Sequence, residues 1–317
     1  MRGLDTKEAA AMLREMDHLL ILTHIRPDGD TIGCAAALCR ALRDLGKEAF
    51  MLKNPGITAT YAHYAQSYWA PADYVPAQVV SVDIADLPLL PENALSYAGK
   101  IDLAIDHHPS YAGFGKACCV MSSAAAAGEI VYDIVRELTP LTPAIALPLY
   151  VAVATDTGCF VYANTTAQTH WVAAALMETG IDYRTANKVL FRTKSKTRLA
   201  MEARMVSQME LYDKGRVVVM QIPLSLREEM QATEADIEEL SSLAALVEGT
   251  DCGITLRELA PGKCKISLRT GPRINATAAC AKLGGGGHRA AAGATVSGSM
   301  DDVKRAVLKA VAEVAEA

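Results

Sequence analysis

Aromatic side chains are scarce, with two Trp and four Phe in 317 residues. Hydrophobic residues still make up 51% and charged residues 21%, so the cores must be built from Ala, Leu, Val and Ile, as in a soluble globular enzyme, and disorder is excluded. The eight cysteines (Cys34, Cys39, Cys118, Cys119, Cys159, Cys252, Cys264 and Cys280) form no CxxC pair. They mostly lie in apolar segments, which argues against a thiolate zinc site and predicts free buried thiols in a reducing compartment. Long apolar runs are missing too. The longest, "AIALPLYVAVA" at 144–154, stops at Thr155-Asp156, short of the roughly 20 residues that span a bilayer. No cleavable leader is read in "MRGLDTKEAAAMLREMDHLL", so a cytoplasmic location without membrane association is expected. An excess of positive charge is also absent. The formal net charge of −5 argues against a long basic track for extended nucleic acid. It leaves open a small anion held by metal ions and a few local Arg or Lys residues. The "GGGG" at 284–287 is not followed by Lys and Ser/Thr, so it is no Walker loop and ATP hydrolysis is disfavoured.

The chain length suits two domains. A helix is expected over 7–19 and a buried strand over 19–24. After Asp30, "TIGCAAALCRALRDLGKEA" has helical spacing at Ile32, Ala36, Cys39 and Leu42, with Gly46 as a stop. Further strands are expected at 48–53, 78–86 and 100–108, and helices at 123–138, 142–155, 165–179 and 196–212. Unbroken apolar strands alternating with helices predict a parallel sheet covered on both faces. From 216 the pattern changes to "RVVVMQIP", a helix at 235–248, strands near 252–259 and 263–270, and a helix starting near Asn275. This is a second, smaller α/β unit, with the boundary within 182–215.

The chemistry gathers where strands end. "THIRPDGDTIG" at 23–33 puts His24, Asp28 and Asp30 directly after the run Leu19–Leu22. Asp83 lies in "SVDIAD", Asp106, His107 and His108 close "LAIDHH", and Asp156 ends an apolar helix in "VATDTG". Taken singly, each Asp could cap a helix, Asp30 above all, and each His could be an ordinary core histidine. Together they are five carboxylates and three imidazoles at the strand ends where ligands bind in open parallel sheets. Without cations such a cluster costs several kcal/mol per group. Divalent ions remove that cost, and a donor set rich in oxygen and free of thiolate suits Mn²⁺, Mg²⁺ or Fe²⁺.

These motifs, with "GGGGHRAAAG" at 284–293, run in an order that resembles the DHH phosphoesterase superfamily carrying a DHHA1 domain. The likeness is to its bifunctional nanoRNases and 3'-phosphoadenosine-5'-phosphate (pAp) phosphatases. It covers nearly the whole chain. It implies an α/β fold with an N-terminal DHH domain over 1–185, built on a mostly parallel sheet flanked by helices. A helical linker over 186–214 and a smaller C-terminal α/β DHHA1 domain over 215–317 follow. It further implies two divalent ions, Mn²⁺ first and Mg²⁺ or Fe²⁺ otherwise. One is held by His24, Asp28 and Asp83, the other by Asp30, Asp83, His107 and Asp156, with Asp83 bridging. Asp106 is then expected to orient an imidazole, and His108 to face the scissile phosphate. In the second domain Arg269, His288 and the amides of Gly285, Gly286 and Gly287 are expected at the substrate phosphate.

The reaction implied is metal-dependent hydrolysis of RNAs of about two to five nucleotides to mononucleotides, and of pAp to AMP. Its expected partners are short oligoribonucleotides, pAp or linear dinucleotides, not long nucleic acid, with a homodimer left open. The first alternative is a phosphodiesterase acting mainly on pApA or cyclic di-AMP, which shares every residue named. A non-catalytic nucleotide-binding protein would be expected to lack one or more ligands, and none is missing.

Overall fold

A computed structural model describes residues 2–315, the side chains of residues 238 and 239 excepted. The chain divides into two compact units, Met1–Thr193 and Lys194–Ala317.

In the first unit, strands β1 (Arg2–Gly3), β2 (Leu19–Leu22), β3 (Ala49–Met51), β4 (Gln78–Val82), β5 (Ile101–Asp106) and β6 (Ala117–Val120) form one sheet. Its order is β1-β6-β5-β4-β2-β3, and every pairing is parallel. The apolar runs are unbroken because both faces are buried. Ile21, Val80, Val82, Leu103 and Ile105 enter one core, and Leu20, Leu22, Val79, Ile101 and Ala104 the other. Helices α1 (Thr6–Glu15), α2 (Gly29–Asp44), α3 (Ala59–Ala65), α4 (Ala127–Leu138), α5 (Pro143–Asp156), α6 (Ala167–Glu178) and α7 (Tyr183–Asn187) belong to this unit. Helix α2 lies against α4 and α5. Small residues make that approach possible: a Cβ on Gly33 would stand 2.2 Å from the Pro148 carbonyl oxygen. The second core is closed by short 3₁₀ turns and loops carrying Leu87, Leu90, Ala94, Tyr97 and Tyr111. Since β2, β4 and β5 are adjacent and parallel, His24, Asp83 and the Asp106-His107-His108 run emerge at the same edge.

The second unit begins with helix α8 (Lys196–Ser207), followed by β7 (Glu210–Tyr212), β8 (Val217–Ile222), α9 (Leu224–Glu229), α10 (Glu234–Ile237), β9 (Cys252–Ala260) and β10 (Lys263–Thr270). Helix α11 (Ala276–Ala281), strands β11 (Gly286–His288) and β12 (Ala291–Ser297), and helix α12 (Met300–Ala312) complete it. The sheet order is β11-β12-β10-β9-β8-β7, antiparallel except for the parallel β8–β9 pair.

Three expectations change. The helix expected over 196–212 ends at Ser207, and Glu210–Tyr212 pairs with β8 as an edge strand. The helix expected over 235–248 is one α-turn followed by a 3₁₀ stretch that contains Ser241 and Ser242, residue types that favour caps and turns over helix interiors. The cap of α2 is Asp28, not Asp30: the Asp28 carboxylate accepts the N–H groups of Asp30 and Thr31.

Candidate metal centre

The Asp30 carboxylate is anchored by another helix. It is 1% exposed, and its two oxygens accept the N–H groups of Ala127 and Gly128 at 2.7 and 2.9 Å. These are orphan donors at the start of α4, whose cap position, Ala126, has no side chain to satisfy them. Asp30 therefore serves as a cap brought in from another helix. A Cβ on Gly128 would stand 2.8 Å from Ala152 Cβ and 3.3 Å from Asp30 Oδ1, so glycine lets α4, α5 and Asp30 meet.

Asp83 follows the last residue of β4 with φ +57°, a left-handed conformation that Asp tolerates better than most residues. Its N–H is fixed on the Ile105 carbonyl. The side chain lies between two imidazoles, with Oδ2 3.6 Å from His24 Nε2 and Oδ1 3.5 Å from His107 Nε2. His24 Nε2 is also 3.6 Å from Asp28 Oδ1. His107 Nε2 is 3.6 Å from Asp156 Oδ2 and 3.9 Å from Asp30 Oδ2. The other nitrogen of His107 faces the Ala124 carbonyl oxygen at 3.2 Å, which sets the tautomer that leaves Nε2 free. Asp106 Oδ1 lies 2.8 Å from His108 Nδ1 and accepts the N–H groups of His107 and His108. It thus orients the His108 ring.

All six expected ligands come together, in two neighbouring sets: His24, Asp28 and Asp83, and Asp30, His107 and Asp156, with Asp83 Oδ1 3.5 Å from His107 of the second. A further grouping of Asp83, His107 and His108 shares two of these residues. The donor set fits divalent ions on two grounds. The nitrogen–oxygen separations of 3.5–3.9 Å are too long for good hydrogen bonds. They match donors sharing an ion, since two ligands each about 2.1 Å from a metal lie about 3.0 Å apart at a right angle and farther apart at wider angles. In addition, Asp83 Oδ1 is buried with no hydrogen-bond partner.

The electrostatics show the cost of the cluster without cations. Burial, reinforced by the charges of Asp83, Asp156 and Asp28, pushes the Asp30 carboxyl well above its ordinary range. Burial likewise raises Asp83, and raises Asp156 to about 6 against the opposing influence of His107. Burial alone would lower His24, but its contacts with Asp28 and Asp83 outweigh it and lift the imidazolium to about 9. His108 is raised first by its hydrogen bond to Asp106.

The second unit holds the other expected residues. Arg269 on β10 pairs with Ala291 on β12, which pairs with His288 on β11. Cross-strand partners share a face, so Arg269 and His288 lie on one side of the sheet, two strands or about 10 Å apart. Gly286 and Gly287 pair with Gly293 and Ala292. Gly287 has φ +142°, and a Cβ on it would stand 2.6 Å from the Ala291 oxygen. Gly285 differs from expectation: its N–H donates to the Cys280 carbonyl at 2.9 Å, closing the end of α11, so it is not free for an anion. Backbone groups of 124–128 and the side chains of Asn54 and Asn164, which also hold the cluster, escaped the sequence reading. Their partners are mostly main-chain carbonyls, a carboxylate, a hydroxyl and an imidazole brought close by the fold, and no spacing signals them.

Comparison with known proteins agrees with this picture. Residues 18–153 match the DHH family, N-terminal domain, and residues 215–317 match the DHHA1 domain. The chain is 33% identical over 301 residues to a Thermus thermophilus protein named bifunctional oligoribonuclease and PAP phosphatase NrnA, covering 93% of this chain and 89% of that one. A Bacillus subtilis protein of the same name is 26% identical over 299 residues, covering 91% and 92%. In fold, the chain is similar to the crystal structure of an exopolyphosphatase-related protein from Bacteroides fragilis, with a TM-score of 0.84 at 19% identity, covering 97% of this chain and 95% of that one. Matched in both parts and 33% identical to a relative over 93% of its length, the chain belongs to the DHH family, in the group that carries a DHHA1 domain.

Proposed function

We propose that this protein is a two-metal phosphoester hydrolase that degrades RNAs of about two to five nucleotides to 5'-mononucleotides and converts pAp to AMP. The observation that carries the reading is Asp83, whose two oxygens face His24 and His107 separately. Shared names among curated relatives supply the substrate class. His24, Asp28 and Asp83 would hold one ion and Asp30, Asp83, His107 and Asp156 the other. Manganese is the first choice for a set of carboxylates and imidazoles, with magnesium or iron(II) next. Such ions supply a nucleophile at neutral pH and the positive charge that an in-line displacement at phosphorus requires.

The chain's own groups do the rest. His108, its Nδ1 engaged by Asp106 and its side chain 38% exposed, would offer its other ring nitrogen to a phosphoryl or leaving oxygen. Arg269 and His288 are assigned to a substrate phosphate because both lie on one face of the second unit's sheet. A substrate held by its terminal nucleotide gains little from added length, in keeping with the low basic content.

The test is a side-by-side kinetic comparison of pAp, pApA, cyclic di-AMP, a five-nucleotide RNA and an RNA of about 24 nucleotides, with Mn²⁺ and Mg²⁺ in turn. Turnover of pAp and the short RNA, abolished by chelation, is expected. Activity confined to pApA or cyclic di-AMP, undiminished activity on the long RNA, or activity indifferent to chelation would overturn the assignment.

A further inference from the structure

Each half of the ligand cluster is tied down by one asparagine. Asn54, 1% exposed, follows β3 and donates through Nδ2 to Thr23 Oγ1 at 2.9 Å and to the carbonyl oxygen of His24 at 2.8 Å. Its Oδ1 accepts the Gly56 N–H, so the amide plane is fixed from both ends. Asn164 lies in the turn before α6 and donates through Nδ2 to the carbonyl oxygens of Asp156 at 3.0 Å and Ala125 at 2.9 Å. Each amide thus grips the main chain of a ligand residue, His24 in one half and Asp156 in the other.

The Asn164 link reaches further, because Ala125 sits in a segment that touches the rest of its half. Ala124 offers its carbonyl to His107, and Ala127 and Gly128 give their N–H groups to Asp30. Glu129, 6% exposed, accepts the Ala125 N–H, so that peptide is held on both sides. Asn164 therefore ties the helix end carrying Asp156 to the backbone that orients His107 and Asp30. Asn54 does the equivalent for the strand end carrying His24, which the same segment does not contact through any hydrogen bond among the described residues.

We propose that Asn54 and Asn164 are positioning residues, Asn54 for the ion at His24, Asp28 and Asp83, and Asn164 for the ion at Asp30, His107 and Asp156. The proposal rests on the two-metal reading. Neither asparagine touches an ion or the substrate. Each acts by keeping a ligand's main chain in register, so that its loss is felt mainly at one position.

The experiment is a Mn²⁺ titration of the metal-free full-length protein by calorimetry, with His24→Ala and Asp156→Ala as references that each disable one position. Asn54→Ala should weaken the ion that His24→Ala removes, and Asn164→Ala the ion that Asp156→Ala removes, by about 10- to 100-fold, with under about threefold change at the other position. Asn54 is buried, so Asn54→Leu and Asn164→Leu, which keep the volume and remove the donor without adding a charge, repeat the test should an alanine variant not fold. A general loss of order would weaken both ions alike in both variants, and that result overturns the proposal, as do unchanged affinities. Wild-type protein that binds fewer than two ions overturns the two-metal reading itself, and is told apart because it needs no variant.

Discussion

Asp28 and Asp30 stand two residues apart, one capping α2 and the other in its first turn, yet they live in different environments. The Asp28 side chain is 53% exposed, and the residue is held mainly by its own capping bonds to the helix it begins. The Asp30 side chain is 1% exposed and held by two N–H groups of another helix. The same contrast runs through the halves to which they belong. One half is built from a solvated loop and a strand end. The other has Asp30 buried and its backbone pinned at several points. Desolvation raises the cost of the half around Asp30 when it is empty, the N–H groups of Ala127 and Gly128 offset part of that cost, and a cation removes the rest. On the two-metal reading, the ion in the half around Asp30 is then expected to be the more tightly held.

The most severe way to break the comparison is to remove what the halves share. Asp83→Asn keeps a residue that tolerates the left-handed backbone at φ +57°, so the fold should persist. Both ions should loosen together, and kcat should fall by roughly 10³-fold or more, as when a catalytic group that acts as a unit is lost. Metal analysis beside steady-state rates decides it; two tight ions with near-normal kcat would remove Asp83 from its bridging role.

A change outside the cluster supplies the contrast. His288→Ala should leave both ions bound and lower kcat/KM for pAp by about 10- to 100-fold, the loss of one hydrogen bond to a charged phosphate. Arg269→Ala should be similar, and the pair less than additive. Unimpaired rates in the His288 variant would make that residue merely part of the β11 strand.

Graded chelation sharpens the comparison directly. The ion at His24, Asp28 and Asp83 should leave at a chelator concentration about tenfold below that needed for its neighbour, as expected when one site has the better outer support. Mass spectrometry under native conditions should then find a one-metal species, and Asp28→Asn should make that species the resting state. Simultaneous loss of both ions would mean that the halves bind alike despite their different burial.

Much of this was legible in the sequence because parallel strands gather their ends. His24, Asp83 and the Asp106-His107-His108 run each follow an apolar stretch, and β2, β4 and β5 are neighbours. The division of labour between Asp28 and Asp30 was not legible, since both precede the same helix. Only the approach of α4, permitted by Gly128, shows which one caps α2 and which one caps α4. The short edge strand Glu210–Tyr212 carries too few residues to display alternation. The Gly285 amide was misread for a similar reason: a glycine run permits an anion nest or a helix end, and the Cys280 carbonyl decides for the latter.

The smallest expected effect is a reversal of sign with pH. In metal-free protein the His24 imidazolium is raised to about 9 by Asp28 and Asp83 against its burial, so its stabilising contribution is complete below its unfolded value near 6.5 and fades as pH rises through 9. His108, raised by Asp106, has the same sense. Asp156, raised to about 6 by burial, has lost its share by the time pH 6 is reached, since a raised carboxyl favours the folded state only while protonated. Metal-free protein should accordingly melt a few degrees lower at pH 9 than at pH 6. With Mn²⁺ present the order should invert, because the ligands bind the ion only when deprotonated and its stabilisation grows with pH. Calorimetric melting at the two pH values, with and without chelator, reads both slopes. Parallel slopes would show that the imidazoles and carboxylates of the cluster do not exchange protons for metal. In His24→Ala the metal-free slope should flatten, whereas in Asn54→Ala it should keep its sign, because the imidazole and its two carboxylate neighbours remain.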